Sequence, residues 1–249
     1  MRFSVCIESI YEGLAPEEAI SKTAATGLPA IEFWSWWNKD LSSLQQALEK
    51  HHITPAAFCT RSNNLTDPKQ RGKYLEDLEL SIEAAEKIGC RRLITQSGPE
   101  LGGLSRAAQS ESLYAGLEAC KPLLDQSKIT LLVEPLNTVR DHPGVFLSDS
   151  HETFELVRSL AHPQIRVLFD IYHQQISCGN ILDSILPNLD LIGHFHAASV
   201  PGRHELELGE LHYGRIFREI SKAGYQGYMG LEYWPTADAN ITLRQCMSL

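Results

Sequence analysis

The sequence predicts an α/β protein that folds as a single (β/α)8 TIM barrel over residues 1–249. Eight short apolar segments alternate with longer segments of helical periodicity along the whole chain. The apolar segments show little polar alternation, which is typical of parallel strands covered on both faces. A length of 249 residues is also common for barrels made of one domain. These three observations favour one closed barrel.

The eight predicted strands are rich in isoleucine, valine, leucine and phenylalanine. In chain order they cover residues 3–9, 30–34, 55–60, 92–96, 130–136, 166–172, 191–197 and 228–233. Helical patterns fill the intervals, and their boundaries carry the expected signals. Pro16 suits a first helical turn and Asp149 suits an N-cap, while Gly27, Gly89 and Gly224 suit left-handed helix ends.

An open, doubly wound sheet would show the same alternation of strands and helices. Open sheets that bind nucleotides carry a Gly-x-Gly-x-x-Gly turn after the first strand, and this chain has none there. The closed barrel is therefore the better prediction.

The charge balance limits the classes of partner. The chain has 22 basic and 31 acidic residues, for a net charge of −9, and no basic run, so we expect no nucleic-acid partner. No stretch approaches the roughly 18 apolar residues that cross a membrane, and the N-terminus shows no leader pattern, so we expect no membrane partner. Six scattered cysteines without a Cys-x-x-Cys pair fit a reducing cytoplasm.

Chemistry-bearing residues end the last four predicted strands: Glu134, Asp170, His196 and Glu232. Because strand C-termini meet at one mouth of a barrel, we expect these side chains to converge. A lone acid at a strand end is more often a helix cap or an ion-pair partner, but three carboxylates and an imidazole at one point would repel one another without a cation. The oxygen-rich set predicts one divalent metal ion, Mn²⁺ or Mg²⁺ first, with Co²⁺ or Zn²⁺ as alternatives.

Six segments carry a resemblance to a known family. They are VEPLN (133–137), DIYH (170–173), GHFH (193–196), VPGRHE (200–205), GEL (209–211) and GLEYWP (230–235). Together they resemble the hydroxypyruvate isomerase family of the xylose isomerase-like barrel superfamily, which also includes ketose 3-epimerases and endonuclease IV. The resemblance is strong over about residues 81–235 and weaker before them.

The resemblance implies that the four strand-end residues hold the metal and that Glu134 and Glu232 also move protons. It implies that His173 and Arg203 bind substrate oxygens and that Glu210 supports the site.

Two positions depart from the family pattern. Hydroxypyruvate isomerases commonly carry glutamine where this chain has His196, which is the residue of the epimerases, and Leu206 replaces the usual proline. Both departures leave the site intact but loosen the transfer of a substrate name. His194 shares a strand face with His196, so we expect it to lie deeper in the barrel.

Further residues are candidates for the mouth of the barrel. Trp34 leads a cluster of tryptophans after the second strand, which suits a pocket wall or an interface, and Glu8 ends the first predicted strand. Arg203 suits a substrate carboxylate, although a rim ion pair with Glu205 or Glu207 fits the sequence equally well.

The predicted chemistry is proton transfer. A metal bound to a carbonyl and its neighbouring hydroxyl acidifies the C–H between them and stabilises the enediolate that remains. Proton return to the adjacent carbon gives an isomerase of a sugar or hydroxy-keto acid, return to the same carbon gives a ketose 3-epimerase, and elimination gives an inosose-type dehydratase.

An endonuclease IV-like phosphodiesterase is less favoured, because such enzymes use three zinc ions and the first half of the chain offers only His51 and His52. Only a short segment follows Pro235, so a homo-oligomer could help to cover the last layer of the barrel.

Overall fold

The computed structural model describes all 249 residues and shows eight parallel strands closed into a barrel. The strands are β1 Arg2–Cys6, β2 Ala30–Phe33, β3 Thr54–Cys59, β4 Arg92–Gln96, β5 Thr130–Glu134, β6 Ile165–Asp170, β7 Ile192–Ala197 and β8 Tyr228–Leu231. Each strand pairs with the next, and β8 pairs with β1. The predicted fold class is confirmed.

Ten helices connect the strands and cover the outside of the barrel. They are α1 Ile7–Ile10, α2 Pro16–Thr26, α3 Leu41–His51, α4 Arg71–Ile88, α5 Arg106–Asp125, α6 Ser150–Leu160, α7 Ile171–Ser177, α8 Ile181–Ile185, α9 Tyr213–Lys222 and α10 Ala239–Cys246, with 3-10 turns at Leu186–Leu191 and Leu206–Leu208. Asp149 caps α6 by accepting from the His151 amide at 2.7 Å. Gly27 and Gly89 end their helices with φ of 86° and 76°. No helix is long and apolar enough to span a membrane.

The core has two layers that set the depth of the site. A cluster of 58 buried residues fills the space between strands and helices. Inside the barrel, a small separate cluster contains Leu132 on β5 and Leu168 on β6. Because side chains two positions apart share a strand face, Glu134 and Asp170 point into the barrel above these leucines. The apolar floor therefore supports a polar upper layer at the C-terminal mouth.

The predicted strand ends were wrong by one residue at the second and third strands and by more in four places. The first strand ends at Cys6, the fifth at Glu134, the sixth at Asp170 and the eighth at Leu231, each two or three residues before the predicted end. Burial continues past these points, for example through Ile171 in α7, so hydrophobicity does not mark where the strand stops. Helix geometry takes over instead, and Asp170 caps α7 by accepting from the Tyr172 amide at 2.8 Å.

Candidate active site

The C-terminal ends of the strands surround a cavity of about 560 Å³. Its lining includes Trp34, Glu134, His173, His196, Arg203 and Glu232. A more open depression of about 600 Å³ lies around Arg92 and Arg166 at the opposite end of the barrel, and no cluster of potential metal ligands lines it. The mouth is therefore the better candidate site.

The structure brings the four predicted ligands together. Ligand atoms of Asp170, His196 and Glu232 lie within 4.8 Å of one another. His196 Nδ1 lies 3.4 Å from Glu232 Oε2 and 3.9 Å from Glu134 Oε1, so two carboxylates flank one nitrogen. All four side chains are buried.

An orphaned nitrogen atom shows that these residues fit a bound cation. His196 Nδ1 is buried among carboxylates and has no hydrogen-bond partner. His173 Nε2 is also buried without a partner, 3.4 Å from Asp170 Oδ2, but His173 Nδ1 accepts from the Asn137 amide, so Nε2 carries the ring proton and is a donor. Unpaired buried nitrogens destabilise a protein unless something binds them, and carboxylates with imidazole nitrogens are the ligands that divalent metals use.

The two glutamates differ in protonation. Burial raises the pKa of Glu134 to about 8, and the charges of Glu232 and Asp170 add to this against the opposing effect of His196. Burial acts in the same direction on Glu232, but Arg203 and His196 outweigh it and hold the Glu232 pKa well below its ordinary value. Without a metal, Glu134 therefore carries a proton at neutral pH while Glu232 is ionised.

His196 is also protonated in the chain without metal. Burial lowers its pKa, but Glu232 and Glu32 outweigh burial and raise the pKa well above the ordinary value. The positive charge of this imidazolium sits among the carboxylates, where a metal ion would supply it instead.

Arg203 pairs with carboxylates inside the cavity rather than with a carboxylate at the rim of the barrel. Its Nη2 donates to Glu232 Oε2 and lies 3.7 Å from Asp170 Oδ2, while its Nη1 lies 3.8 Å from Asp141 Oδ1. The alternative rim ion pair with Glu205 or Glu207 does not form, and Glu205 instead accepts from the Thr236 amide at 2.7 Å. Arg203 has a φ of 56°, and strained backbone of this kind is often found at functional sites.

Trp34 and Glu8 have different positions. Trp34 lines the cavity, and its Nε1 donates to Glu232 Oε1 at 2.6 Å. Glu8 lies on α1 rather than at a strand end and does not line the cavity. Its carboxylate accepts from the backbone amides of Trp34 and Ser35 and pairs with Lys39 at 2.5 Å. Glu8 therefore holds the loop that carries Trp34.

His173 and Glu210 also differ in whether they reach the cavity. His173 lines the cavity, and its Nδ1 lies 2.6 Å from Asn137 Nδ2. Glu210 is exposed, lies outside the cavity lining and accepts from Gln175 Nε2 at 3.1 Å. The structure therefore brings His173 to the site and leaves Glu210 outside it.

Glu32 is the main residue that the sequence analysis missed. It is buried in β2, and its Oε2 accepts from His196 Nε2 at 2.8 Å. Its Oε1 accepts from His194 Nε2 at 2.9 Å and from Ser4 Oγ. His194 thus lies two residues before His196 on the same strand face and deeper in the barrel, as expected. Carboxylates that hold the far nitrogen of a metal-binding histidine are a recurrent arrangement.

Glu32 fixes which His196 nitrogen can bind a metal. Burial raises the Glu32 pKa, but His194 and His196 outweigh it, so the carboxylate stays ionised and accepts the proton of His196 Nε2. Nδ1 is then the nitrogen that faces Glu134 and Glu232. A signal was present in the sequence, because an acid inside the apolar run of β2 needs a buried partner.

Gly230 leaves room for this arrangement. A Cβ atom at this position would lie 2.5 Å from His196 Cδ2 and 2.6 Å from Glu32 Oε1. Glycine on β8 therefore permits the close approach of both side chains.

Comparison with known proteins agrees with this architecture. Residues 20–247 match the family model described as xylose isomerase-like TIM barrel. The chain is 27% identical to the 2-oxo-tetronate isomerase of Cupriavidus necator over 97% of this chain and 96% of that protein. It is 24% identical to the hydroxypyruvate isomerase of Escherichia coli over 98% of this chain and 97% of that protein.

A solved structure is also similar over nearly the whole chain. The crystal structure titled AP endonuclease, family 2, from Brucella melitensis matches with a TM-score of 0.94 and 27% identity, and covers 99% of this chain and 98% of that one. The chain therefore belongs to the xylose isomerase-like TIM barrel family, and the two curated relatives are isomerases.

Proposed function

We propose that this chain is a divalent-metal-dependent isomerase that moves a proton between adjacent carbons of a small hydroxy-keto acid or sugar. One observation carries the proposal: Glu134 and Glu232 flank His196 Nδ1 in a buried cluster at the mouth of the barrel. The names of the curated relatives, 2-oxo-tetronate isomerase and hydroxypyruvate isomerase, support the substrate class.

Glu134, Asp170, His196 and Glu232 would hold the metal ion. Mn²⁺ or Mg²⁺ suits the three carboxylates and one imidazole better than a metal that prefers thiolates. When bound, the ion would polarise the carbonyl and neighbouring hydroxyl of the substrate and stabilise the negative charge that develops as the C–H proton leaves.

The two glutamates would transfer the proton. Glu232 is held ionised by Arg203 and by the Trp34 indole, so it accepts the substrate proton. Glu134, on the other side of His196 Nδ1, would deliver a proton to the neighbouring carbon, while the hydroxyl proton passes to the former carbonyl oxygen. His173 presents an unpaired Nε2 to the same cavity, where it binds a substrate oxygen.

A ketose 3-epimerase on the same site is the second candidate. His196 favours it, because hydroxypyruvate isomerases commonly carry glutamine at this position. In that case Glu232 would keep the proton that it removed, and Glu134 would deliver another proton to the same carbon from the opposite face. An inosose-type dehydratase would differ only in losing water after the same proton removal.

The test is product analysis in heavy water. The chain, stripped of metal and then loaded with Mn²⁺, would be incubated with hydroxypyruvate, 2-oxo-tetronates, ketoses and inososes, and the products followed by NMR. We expect deuterium beside the carbonyl and a shifted carbonyl in at least one acid or sugar, with loss of turnover on exhaustive chelation. Inversion without a carbonyl shift would identify the epimerase, and loss of water the dehydratase.

Other outcomes would overturn the proposal. Turnover that survives chelation would exclude a metal-dependent mechanism. Cleavage of an abasic DNA duplex, with no change in any sugar or acid, would favour the phosphodiesterase instead, and we expect no such cleavage.

A further inference from the structure

The exposed end of the cavity carries a guanidinium group that the rest of the chain does not neutralise. Arg61 follows β3, is exposed and lines the same cavity as Glu134 and Glu232. Its side chain takes part in no hydrogen bond and no ion pair of the structure. Arg203, the other arginine of the lining, is already shared among Glu232, Asp170 and Asp141. Arg61 is therefore the one arginine or lysine of the cavity lining that has no ionic partner.

The backbone around Arg61 is fixed although its side chain is free. Thr60 Oγ1 donates to the Ser62 carbonyl at 2.9 Å, and the Arg61 amide donates to Ser81 Oγ at 3.4 Å. The charged neighbour on α4, Asp77, is engaged by Lys73 at 2.5 Å and by Ser62 Oγ. Burial raises the Asp77 pKa, but Lys73 and Ser62 outweigh it and lower that pKa; Arg61 adds a smaller lowering and forms no ion pair with Asp77. No neighbouring side chain therefore forms an ion pair with the Arg61 guanidinium.

Amide groups accompany the arginine. Asn63 and Gln96 line the cavity beside Arg61, and Asn63 Nδ2 donates to Gln96 Oε1 at 3.1 Å. This bond leaves the Gln96 amide nitrogen free to donate. A guanidinium and an amide at one end of a cavity form the donor set that binds a carboxylate or a phosphate.

The two ends of the cavity thus carry opposite charges. Its buried end gathers Glu134, Asp170 and Glu232, and its exposed end carries Arg61. The volume of about 560 Å³ falls within the range of ligand sites and has room for more than the reacting carbons.

We infer that Arg61 is a specificity-determining residue that binds an anionic group, a carboxylate or a phosphate ester, at the end of the substrate remote from the buried carboxylates. This inference rests on the proposed function, because it assumes that the reacting carbons lie at the buried end. It assigns the preferred substrates to the acids and phosphate esters rather than to neutral sugars.

The experiment compares matched anionic and neutral substrates in the Mn²⁺-loaded chain. Arg61→Gln and Arg61→Lys would be assayed with a carboxylate series, a phosphate ester series and the neutral ketoses of the same length. A hydrogen-bonded charge pair contributes about 10- to 100-fold, so in Arg61→Gln the ratio of kcat/KM for anion to neutral analogue should fall by that factor. Arg61→Lys should recover part of it, and the series that loses most identifies the anion.

The control is Arg218→Gln, which removes an exposed arginine of α9 paired with Glu219 at 3.6 Å. It should leave the ratio unchanged. An equal loss on anionic and neutral substrates in Arg61→Gln, or no loss, would overturn the inference.

Equilibrium binding separates this inference from the proposed function. If no substrate turns over, the proposed function fails, and calorimetric titration with glycerate and with phosphoglycolate then decides the role of Arg61. Binding to the wild type that weakens about 10-fold or more in Arg61→Gln supports the anion site. No binding, or equal binding by both proteins, refutes it.

Discussion

Glu32→Gln tests how the barrel prepares His196 for a metal ion. The substitution keeps the size and shape of the buried side chain but turns one acceptor oxygen into an NH₂ donor. In the wild type, Glu32 Oε1 accepts from His194 and Ser4, and Oε2 accepts from His196. Whichever oxygen is replaced, one imidazole N–H of the variant faces a donor instead of an acceptor. The neutral form of His196, which is the form that binds a metal, can relieve the conflict by carrying its single proton on Nδ1 instead of Nε2, and Nδ1 then offers no lone pair toward Glu134 and Glu232.

Two magnitudes follow from this geometry. Loss of a carboxylate that holds a metal-binding histidine weakens metal affinity by roughly 10- to 100-fold. One unsatisfied buried donor costs about 1–3 kcal/mol of folding free energy, which corresponds to a fall in Tm of roughly 2–10 °C for a chain of this size.

The assay is calorimetric titration of the metal-free chain with Mn²⁺, together with thermal unfolding. Asp77→Asn is the matched control, because Asp77 is also buried and hydrogen-bonded but pairs with Lys73 on α4 outside the ligand cluster. We expect the control to lose stability while its Mn²⁺ affinity stays within about twofold of the wild type. Mn²⁺ affinity in Glu32→Gln equal to that of the wild type would refute the reasoning.

Three further predictions concern the same cluster. Glu232→Gln should lower kcat by at least about 100-fold with unchanged far-ultraviolet circular dichroism, since it removes the ionised proton acceptor; retained turnover would exclude Glu232 from proton transfer. Trp34→Phe should lower kcat/KM about 10-fold, because the donor to Glu232 Oε1 at 2.6 Å is lost, and steady-state kinetics with no change would show that this bond is dispensable. Mn²⁺ binding at pH 7 should release protons, and its affinity should increase as the pH rises toward 8. The reason is that Glu134, with a pKa of about 8, and His196 hold protons until the metal displaces them. Calorimetric titrations in two buffers of different ionisation enthalpy measure the number of protons released, and zero release would contradict the prediction.

The barrel and its strand-end residues were predictable from the sequence for one reason. Parallel strands covered on both faces appear as continuous apolar runs, and Glu134, Asp170, His196 and Glu232 each interrupt or end such a run. Since the barrel topology carries all strand ends to one mouth, the position in the run was enough to bring the four side chains together.

The rest depended on contacts between distant parts of the chain. The sequence pattern placed Glu8 at the end of a strand because the apolar run continues into α1, where Ile7 and Ile10 are buried. Glu32 stayed hidden inside the run of β2, since its partners His194 and His196 lie on β7, across the barrel. The pairing of Arg203 with Glu232 rather than Glu205 is also a tertiary contact.

The central claim is that one divalent metal ion binds among Glu134, Asp170, His196 and Glu232, and the most direct test is anomalous diffraction at the manganese edge from crystals soaked in Mn²⁺. The structure offers three overlapping ligand groups, one of which is Glu32 with His194 and His196, so the position of the peak is decisive. We predict a single peak within coordination distance of His196 Nδ1 and the three strand-end carboxylates. A peak at Glu32 and His194, or no peak in the barrel, would contradict the claim.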